Sequence, residues 1–232
     1  MLSTFWVSSQ HKASLINVGH FYLTLLLHKN GMMKNNSRII NIVSSKSLFY
    51  DSRFQNAHYS LYDFNMEDLI QDCHLKYDME QLYMRSKFAL FLFTKQFQSY
   101  MNSQQDTFVS SSHTKIVSVF PGPTRTSSLE RISAFTRLFT RPFEWLLLKS
   151  PEQGVQTTLY CILQDYNLLE GGCYYEECGL VEVEADDVSL EIERRKKLWN
   201  VSLELLTKFE RQTRHTSESL PSLDNFHELF IL

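Results

Sequence analysis

The chain has 232 residues, of which 43% are apolar and 21% charged, a composition typical of one globular domain. Lys and Arg number 23 against 26 Asp and Glu, a net charge of −3, so we expect no nucleic-acid partner. The four cysteines form no C-x-x-C motif and the eight histidines no H-E-x-x-H motif, which predicts a reduced, cytoplasmic compartment and no metal site.

The first half of the chain predicts two helices separated by a buried strand and a long loop. Residues 15–29 have the pattern of a mostly buried helix that ends near Asn30-Gly31. Residues 38–43 are apolar on both faces, which is typical of a central parallel strand. Residues 44–80 are aromatic, acidic and weakly periodic, which indicates a functional or disordered loop, and residues 81–100 predict a helix with a nearly continuous apolar face.

The second half continues the alternation of strands and helices. Such alternation indicates an α/β fold with a parallel sheet. The predicted elements are a buried strand over 115–120 ended by Pro121-Gly122, a helix over 152–163 begun by Pro151, one or two strands within 173–183, and a charged amphipathic helix over 187–209.

Two side chains on the second predicted helix could carry acid–base chemistry. Tyr83 and Lys87 are four residues apart, so they share one face of a helix. An ammonium beside a phenol favours the phenolate, and this would lower the pKa of the tyrosine toward neutrality. A Y-x-x-x-K pair also arises by chance, with a surface tyrosine beside a solvated lysine as the alternative, so its context matters.

That context resembles the short-chain dehydrogenase/reductase family, and within it the branch of retinol dehydrogenases and the WW-domain oxidoreductase. The matching segments occur in family order over about residues 15–207. They read I-N-V-G-H-F-Y-L-T (16–24), R-I-I-N-I-V-S-S (38–45), Y-M-R-S-K-F-A-L-F-L-F-T (83–94), V-F-P-G-P-T-R-T (119–126), K-S-P-E-Q-G-V-Q-T-T-L-Y-C (149–161), L-E-G-G-C-Y-Y (169–175) and K-L-W-N-V-S (197–202).

The resemblance implies a truncated, Rossmann-like doubly wound parallel sheet that corresponds to the C-terminal half of the family's domain. Residues 1–208 would form this partial domain and residues 209–232 a polar tail. Tyr83 would be the general acid or base at the substrate carbonyl, and Lys87 would lower its pKa and bind the nicotinamide ribose.

The resemblance assigns further roles to residues outside the Tyr83–Lys87 pair. Ser45 would hold the carbonyl oxygen, with Ser44 as the alternative, and Asn17 would support a proton relay. The nicotinamide carboxamide would be lined by Pro121, Gly122 and Thr126.

The implied function is an NAD(P)-dependent oxidoreductase that interconverts a lipophilic alcohol, such as a retinoid or steroid, with its aldehyde or ketone. Either NAD or NADP would be the cofactor. None of the seven glycines is spaced as G-x-G-x-x-G, the turn that receives the pyrophosphate, so we expect this chain by itself to bind dinucleotides poorly. The alternative is a catalytically inactive, truncated family member that acts as a binding partner or is an unstable fragment.

The sequence leaves open whether the chain contacts a small substrate, a membrane surface or another protein chain. Residues 131–148 alternate arginines with bulky apolar side chains, which is typical of a lid over a small lipophilic substrate or of peripheral contact with a membrane. The first strand of a truncated sheet would have an uncovered edge, which leaves a homo- or hetero-oligomer open.

Overall fold

The computed structural model describes residues 12–44, 79–104, 114–125, 148–183 and 188–214, which form a sheet with helices on both faces. The α/β prediction is therefore confirmed. The strands are β1 (Ser37–Ile42), β2 (Thr114–Phe120), β3 (Tyr174–Glu176) and β4 (Gly179–Val181), and the helices are α1 (Lys12–Lys29), α2 (Met79–Gln104), α3 (Pro151–Gly154), α4 (Gln156–Leu163) and α5 (Val188–Arg214).

The described strands form one sheet in the order β1-β2-β3-β4. The first three are parallel, with Ser37 opposite Thr114 and Ser118 opposite Tyr174, and β4 turns back antiparallel to β3. Because parallel strands end at the same side, the chain leaves β1, β2 and β3 along one edge of the sheet. We call this edge the carboxyl edge.

Side chains of β2 alternate between two cores. Ile116 belongs to the larger core, which α1, α2 and α5 cover, whereas Val117 and Val119 belong to a smaller core that includes Cys161 of α4. This alternation follows from the two-residue period of a strand, and it explains why the strand reads as apolar on both faces.

Rings from three helices make up the centre of the larger core. Phe97 of α2 is fully buried, and its ring centroid lies 5.7 Å from that of Phe93 and 6.3 Å from that of Trp199 on α5. Phe21 of α1 adds an edge contact to Trp199 at 4.8 Å. These rings hold α2 against both neighbouring helices, and α2 carries Tyr83 and Lys87.

One amide of α2 also ties the helix to the sheet. The side-chain Oε1 of Gln98 accepts a hydrogen bond of 2.9 Å from the backbone N–H of Ile116, and the main chain passes directly over this amide at Gly171. A Cβ at Gly171 would overlap Gln98 Oε1, so only glycine allows this approach.

The predicted helices differ from the structure at their ends: α1 begins at Lys12 and not at residue 15, and α2 covers Met79–Gln104 and not 81–100. The helix expected over 152–163 is divided into α3 and α4, and α3 begins with a capping box in which Ser150 and Gln153 satisfy each other's backbone N–H groups. The final helix continues past residue 209 to Arg214. None of the described helices is both long enough and apolar enough to cross a membrane.

Candidate active site

The first turns of α2 lie beside the carboxyl edge. The Lys87 Nζ donates a hydrogen bond of 2.8 Å to the carbonyl oxygen of Ile42, the last residue of β1. β1 continues its contact with β2 for one more residue, since Val43 N–H donates to the Val119 carbonyl at 2.9 Å. Ser44 follows directly and is buried. The structure thus brings Lys87 to the end of the strand that leads into the predicted serines.

Tyr83 lies one turn before Lys87 and presents its ring to solvent. Its side chain is 49% exposed, and the Lys87 Nζ is 5.8 Å from the centroid of its ring. Between them, Ser86 is fully buried and donates a hydrogen bond of 2.7 Å to the Tyr83 carbonyl oxygen. Tyr83 is therefore accessible to a ligand from solvent, whereas Lys87 is hydrogen-bonded to the sheet.

The titration behaviour of the pair differs from the expectation. Partial burial raises the pKa of Tyr83 above its ordinary value of 10.0, and burial lowers the pKa of Lys87. The predicted lowering of the Tyr83 pKa by Lys87 is therefore wrong for this arrangement. The reason is geometric: the ammonium is hydrogen-bonded to the Ile42 carbonyl and lies over the ring, 5.8 Å from its centroid, so desolvation of the phenol dominates.

A first prediction follows from this pKa direction. We expect Tyr83 to stay protonated at neutral pH and to ionise above about pH 10. Because the folded pKa is raised, the contribution of this phenol to stability is present below about pH 10 and is lost as the pH rises through the folded value. The phenolate absorbance of the wild type minus that of Tyr83→Phe, recorded during alkaline titration, measures this pKa directly. Ionisation of Tyr83 near neutrality would contradict the geometry.

Several predicted site residues lie outside the described part of the chain. Ser45 and Thr126 are not among the described residues, nor is most of the 131–148 segment. Asn17 lies within α1, but its side chain is not described. Their assignment to the site stays a prediction.

Pro121 and Gly122 lie at the carboxyl edge, where the chain leaves β2, the strand next to β1. We call residues 121–125 the exit loop. Gly122 has a φ of +85°, a conformation that side chains with a Cβ rarely adopt. Thr124 Oγ1 donates a hydrogen bond of 3.0 Å to the Gly122 carbonyl oxygen and closes the turn.

Two polar contacts near the site could not be predicted from the pattern. Asn41 of β1 is buried and donates a hydrogen bond of 2.9 Å to Thr94 of α2. Lys149 pairs with Glu177, which lies just after β3 at the same edge as the exit loop. The segment K-S-P-E-Q-G contains Lys149, but nothing in its spacing indicates which distant residue it contacts.

Groups that could hold a metal ion are absent from the described ranges, where no three His, Cys, Asp or Glu side chains come together. Cys161, Cys173 and Cys178 are free thiols. Burial raises the pKa of Cys161 to about 11, which makes this thiol a poor nucleophile.

Comparison with known proteins identifies relatives of this chain. No family model matches it. It is 30% identical over 190 residues to retinol dehydrogenase 11 of Homo sapiens and 28% identical over 193 residues to polyprenol dehydrogenase of Homo sapiens; these matches cover 82% and 81% of this chain, respectively, and 52% of each relative.

A third relative carries the family's own name. Dehydrogenase/reductase SDR family member 13 of Bos taurus is 33% identical over 86 residues, which cover 37% of this chain and 22% of that protein. The chain spans about half the length of the retinol and polyprenol dehydrogenases that it matches. It belongs to the short-chain dehydrogenase/reductase family, in the retinol dehydrogenase-like branch.

Proposed function

We propose that this chain carries the carbonyl-side groups of an NAD(P)-dependent oxidoreductase that interconverts a lipophilic alcohol with its aldehyde or ketone. Two of the relatives are named for such alcohols, retinol and a polyprenol. The observation that carries the proposal is the position of Lys87, which is hydrogen-bonded to the end of β1 with Tyr83 half exposed above it. The names of these relatives favour a small lipophilic substrate as the partner.

The proton chemistry follows from two side chains. In the reducing direction the Tyr83 hydroxyl donates its proton to the carbonyl oxygen, and in the oxidising direction the phenolate accepts the proton of the alcohol. Ser45, or Ser44 in its place, would donate a second hydrogen bond to the same oxygen, because two donors stabilise the charge that develops there. The raised pKa of Tyr83 suits the donor role, since the phenol holds its proton at neutral pH.

The donor set fits the nicotinamide end of a dinucleotide, which when bound supplies or accepts the hydride. The Lys87 ammonium has three N–H donors and places one on Ile42, so it retains capacity for ribose hydroxyls. Pro121 and Gly122 would line the carboxamide, and Gly122 would contribute its backbone alone, since the Lys149 stem occupies the space beside its Cα. Together these groups would orient the nicotinamide next to Tyr83.

A second candidate function is a catalytically inactive family member that binds another protein. The observation that favours it is the glycine spacing, because none of the seven glycines in these 232 residues forms the G-x-G-x-x-G turn. Dinucleotide affinity in this fold depends strongly on that turn. The two candidates therefore differ in whether the purified chain turns over at all.

The test is an activity assay of the purified chain with retinal or a short polyprenal and millimolar NADH or NADPH. The oxidoreductase proposal predicts loss of the reduced-dinucleotide absorbance together with formation of the alcohol in equal amount. Absence of turnover with either dinucleotide, for a chain that melts cooperatively, would favour the inactive binding partner.

A further inference from the structure

Lys149 contacts the exit loop through both its backbone and its side chain, while Thr124 of the loop packs against Gly154 of α3. The backbone of Lys149 pairs with the loop on both sides of Thr124: the Lys149 N–H donates to the Pro123 carbonyl at 2.8 Å, and the Arg125 N–H donates to the Lys149 carbonyl at 2.9 Å. This pairing is an isolated parallel bridge that belongs to none of the four strands. A short bridge of this kind opens easily unless side chains support it.

The side chain of Lys149 supplies that support by lying across Gly122. A Cβ placed on Gly122 would be 2.7 Å from the Lys149 Nζ, 2.8 Å from its Cε and 2.9 Å from its Cδ. The lysine stem therefore fills the space that a side chain would take at this position. Glycine is favoured at position 122 by its positive φ, and a Cβ there would also require the Lys149 stem to move.

The ammonium of Lys149 extends beyond Gly122 and forms an ion pair with the Glu177 carboxylate. Glu177 and Cys178 form the two-residue turn between β3 and β4, and both have a positive φ, 48° and 60°. This hairpin tip is held further by a hydrogen bond of 3.2 Å from Cys178 N–H to Thr157 of α4. The lysine thus joins the loop after β2 to the turn after β3.

We propose that Lys149 is a positioning residue for the exit loop, which it fastens against the β3–β4 turn through Gly122 and Glu177. This inference rests on the proposed function, in which the exit loop receives the nicotinamide carboxamide. Lys149 does not touch the reacting atoms in this account. It fixes the loop that does the binding, so its loss affects dinucleotide affinity and leaves proton transfer at Tyr83 intact.

The first measurement reports how easily the exit loop opens, and the second reports dinucleotide binding. Backbone hydrogen exchange at Arg125 and Lys149 is compared in the wild type, Lys149→Met, Lys149→Arg and Glu177→Gln. Lys149→Met keeps an unbranched stem over Gly122 and removes only the ammonium. The matched control is Lys208→Met, which breaks an exposed ion pair with Glu204 on α5.

We expect exchange at Arg125 to rise by about threefold in Lys149→Met, to rise in Glu177→Gln, and to stay at the wild-type rate in Lys149→Arg and Lys208→Met. Unchanged exchange in Lys149→Met would overturn the proposal. So would equal increases in Lys149→Met and Lys208→Met, because they would show a general loss of stability. If Lys149→Met gives no cooperative melt, the comparison of Glu177→Gln with Lys208→Met decides in the same way.

The second readout is steady-state kinetics with the dinucleotide as the varied substrate. We expect the KM for dinucleotide to rise about threefold in Lys149→Met, with kcat at saturation close to that of the wild type, and rescue by Lys149→Arg. A fall in kcat with an unchanged KM would contradict a positioning role. A wild-type chain that binds no dinucleotide would contradict the proposed function instead, and the exchange data alone then decide whether Lys149 fastens the loop.

Discussion

Replacement of Tyr83 with phenylalanine is expected to lower kcat by about 10²–10⁴-fold, the range typical of a lost general acid. The substitution removes one oxygen from a side chain that is already half exposed, so the fold has little to lose. Steady-state turnover with a fixed aldehyde and saturating dinucleotide measures the loss, and a thermal melt checks that the variant is folded. We expect the melting temperature to stay within about 2 °C of the wild type.

The matched control is Tyr160→Phe on α4. This variant likewise loses one phenolic oxygen. The Tyr160 hydroxyl accepts a hydrogen bond of 3.0 Å from Gln164, which the substitution removes. It should retain nearly full turnover. Wild-type turnover in Tyr83→Phe, or equal losses in both variants, would show that Tyr83 is not the acid.

The second large effect concerns stability. Phe97→Ala should lower the free energy of unfolding by about 3–5 kcal/mol, because it empties a fully buried site among aromatic rings. The neighbours of Phe97 come from three helices and include His28, Phe93 and Trp199, so collapse around the cavity is restricted. Urea denaturation followed by circular dichroism measures the change.

Phe209→Ala is the control for this substitution. Phe209 lies on α5 and is 49% exposed, so its removal should cost less than about 1 kcal/mol. Similar losses for both phenylalanines would contradict the placement of Phe97 at the centre of the core. A Phe97→Ala variant without any cooperative transition agrees with the account, since a loss of this size is a large part of a domain's total stability.

Much of the fold could be predicted because the signal is local. The apolar runs of β1 and β2 and the periodic face of α2 report burial directly, and each element is found within a few residues of its predicted range. The division between α3 and α4 and the extension of α5 to Arg214 were not predicted. Helix ends depend on caps and on packing, which a periodic pattern records poorly.

The candidate site was predictable only in part. The spacing of Tyr83 and Lys87 places them on one helix face, and this is a local property. The direction of the Lys87 ammonium depends on where the Ile42 carbonyl lies, and that is set by packing of α2 against β1. The contacts from Asn41 to Thr94 and from Lys149 to Glu177 join residues 53 and 28 positions apart, so no spacing motif could reveal them.

The most direct test of the central claim is a thermal melt of the purified chain with and without millimolar NADH and NADPH, for the wild type, Lys87→Met and Lys208→Met. Ligand that binds only the folded state raises the melting temperature. The account predicts a small upward shift, about 1–3 °C, for the wild type and Lys208→Met, and none for Lys87→Met. No shift with either dinucleotide in the wild type, or an equal shift in Lys87→Met, would contradict a nicotinamide site at the carboxyl edge.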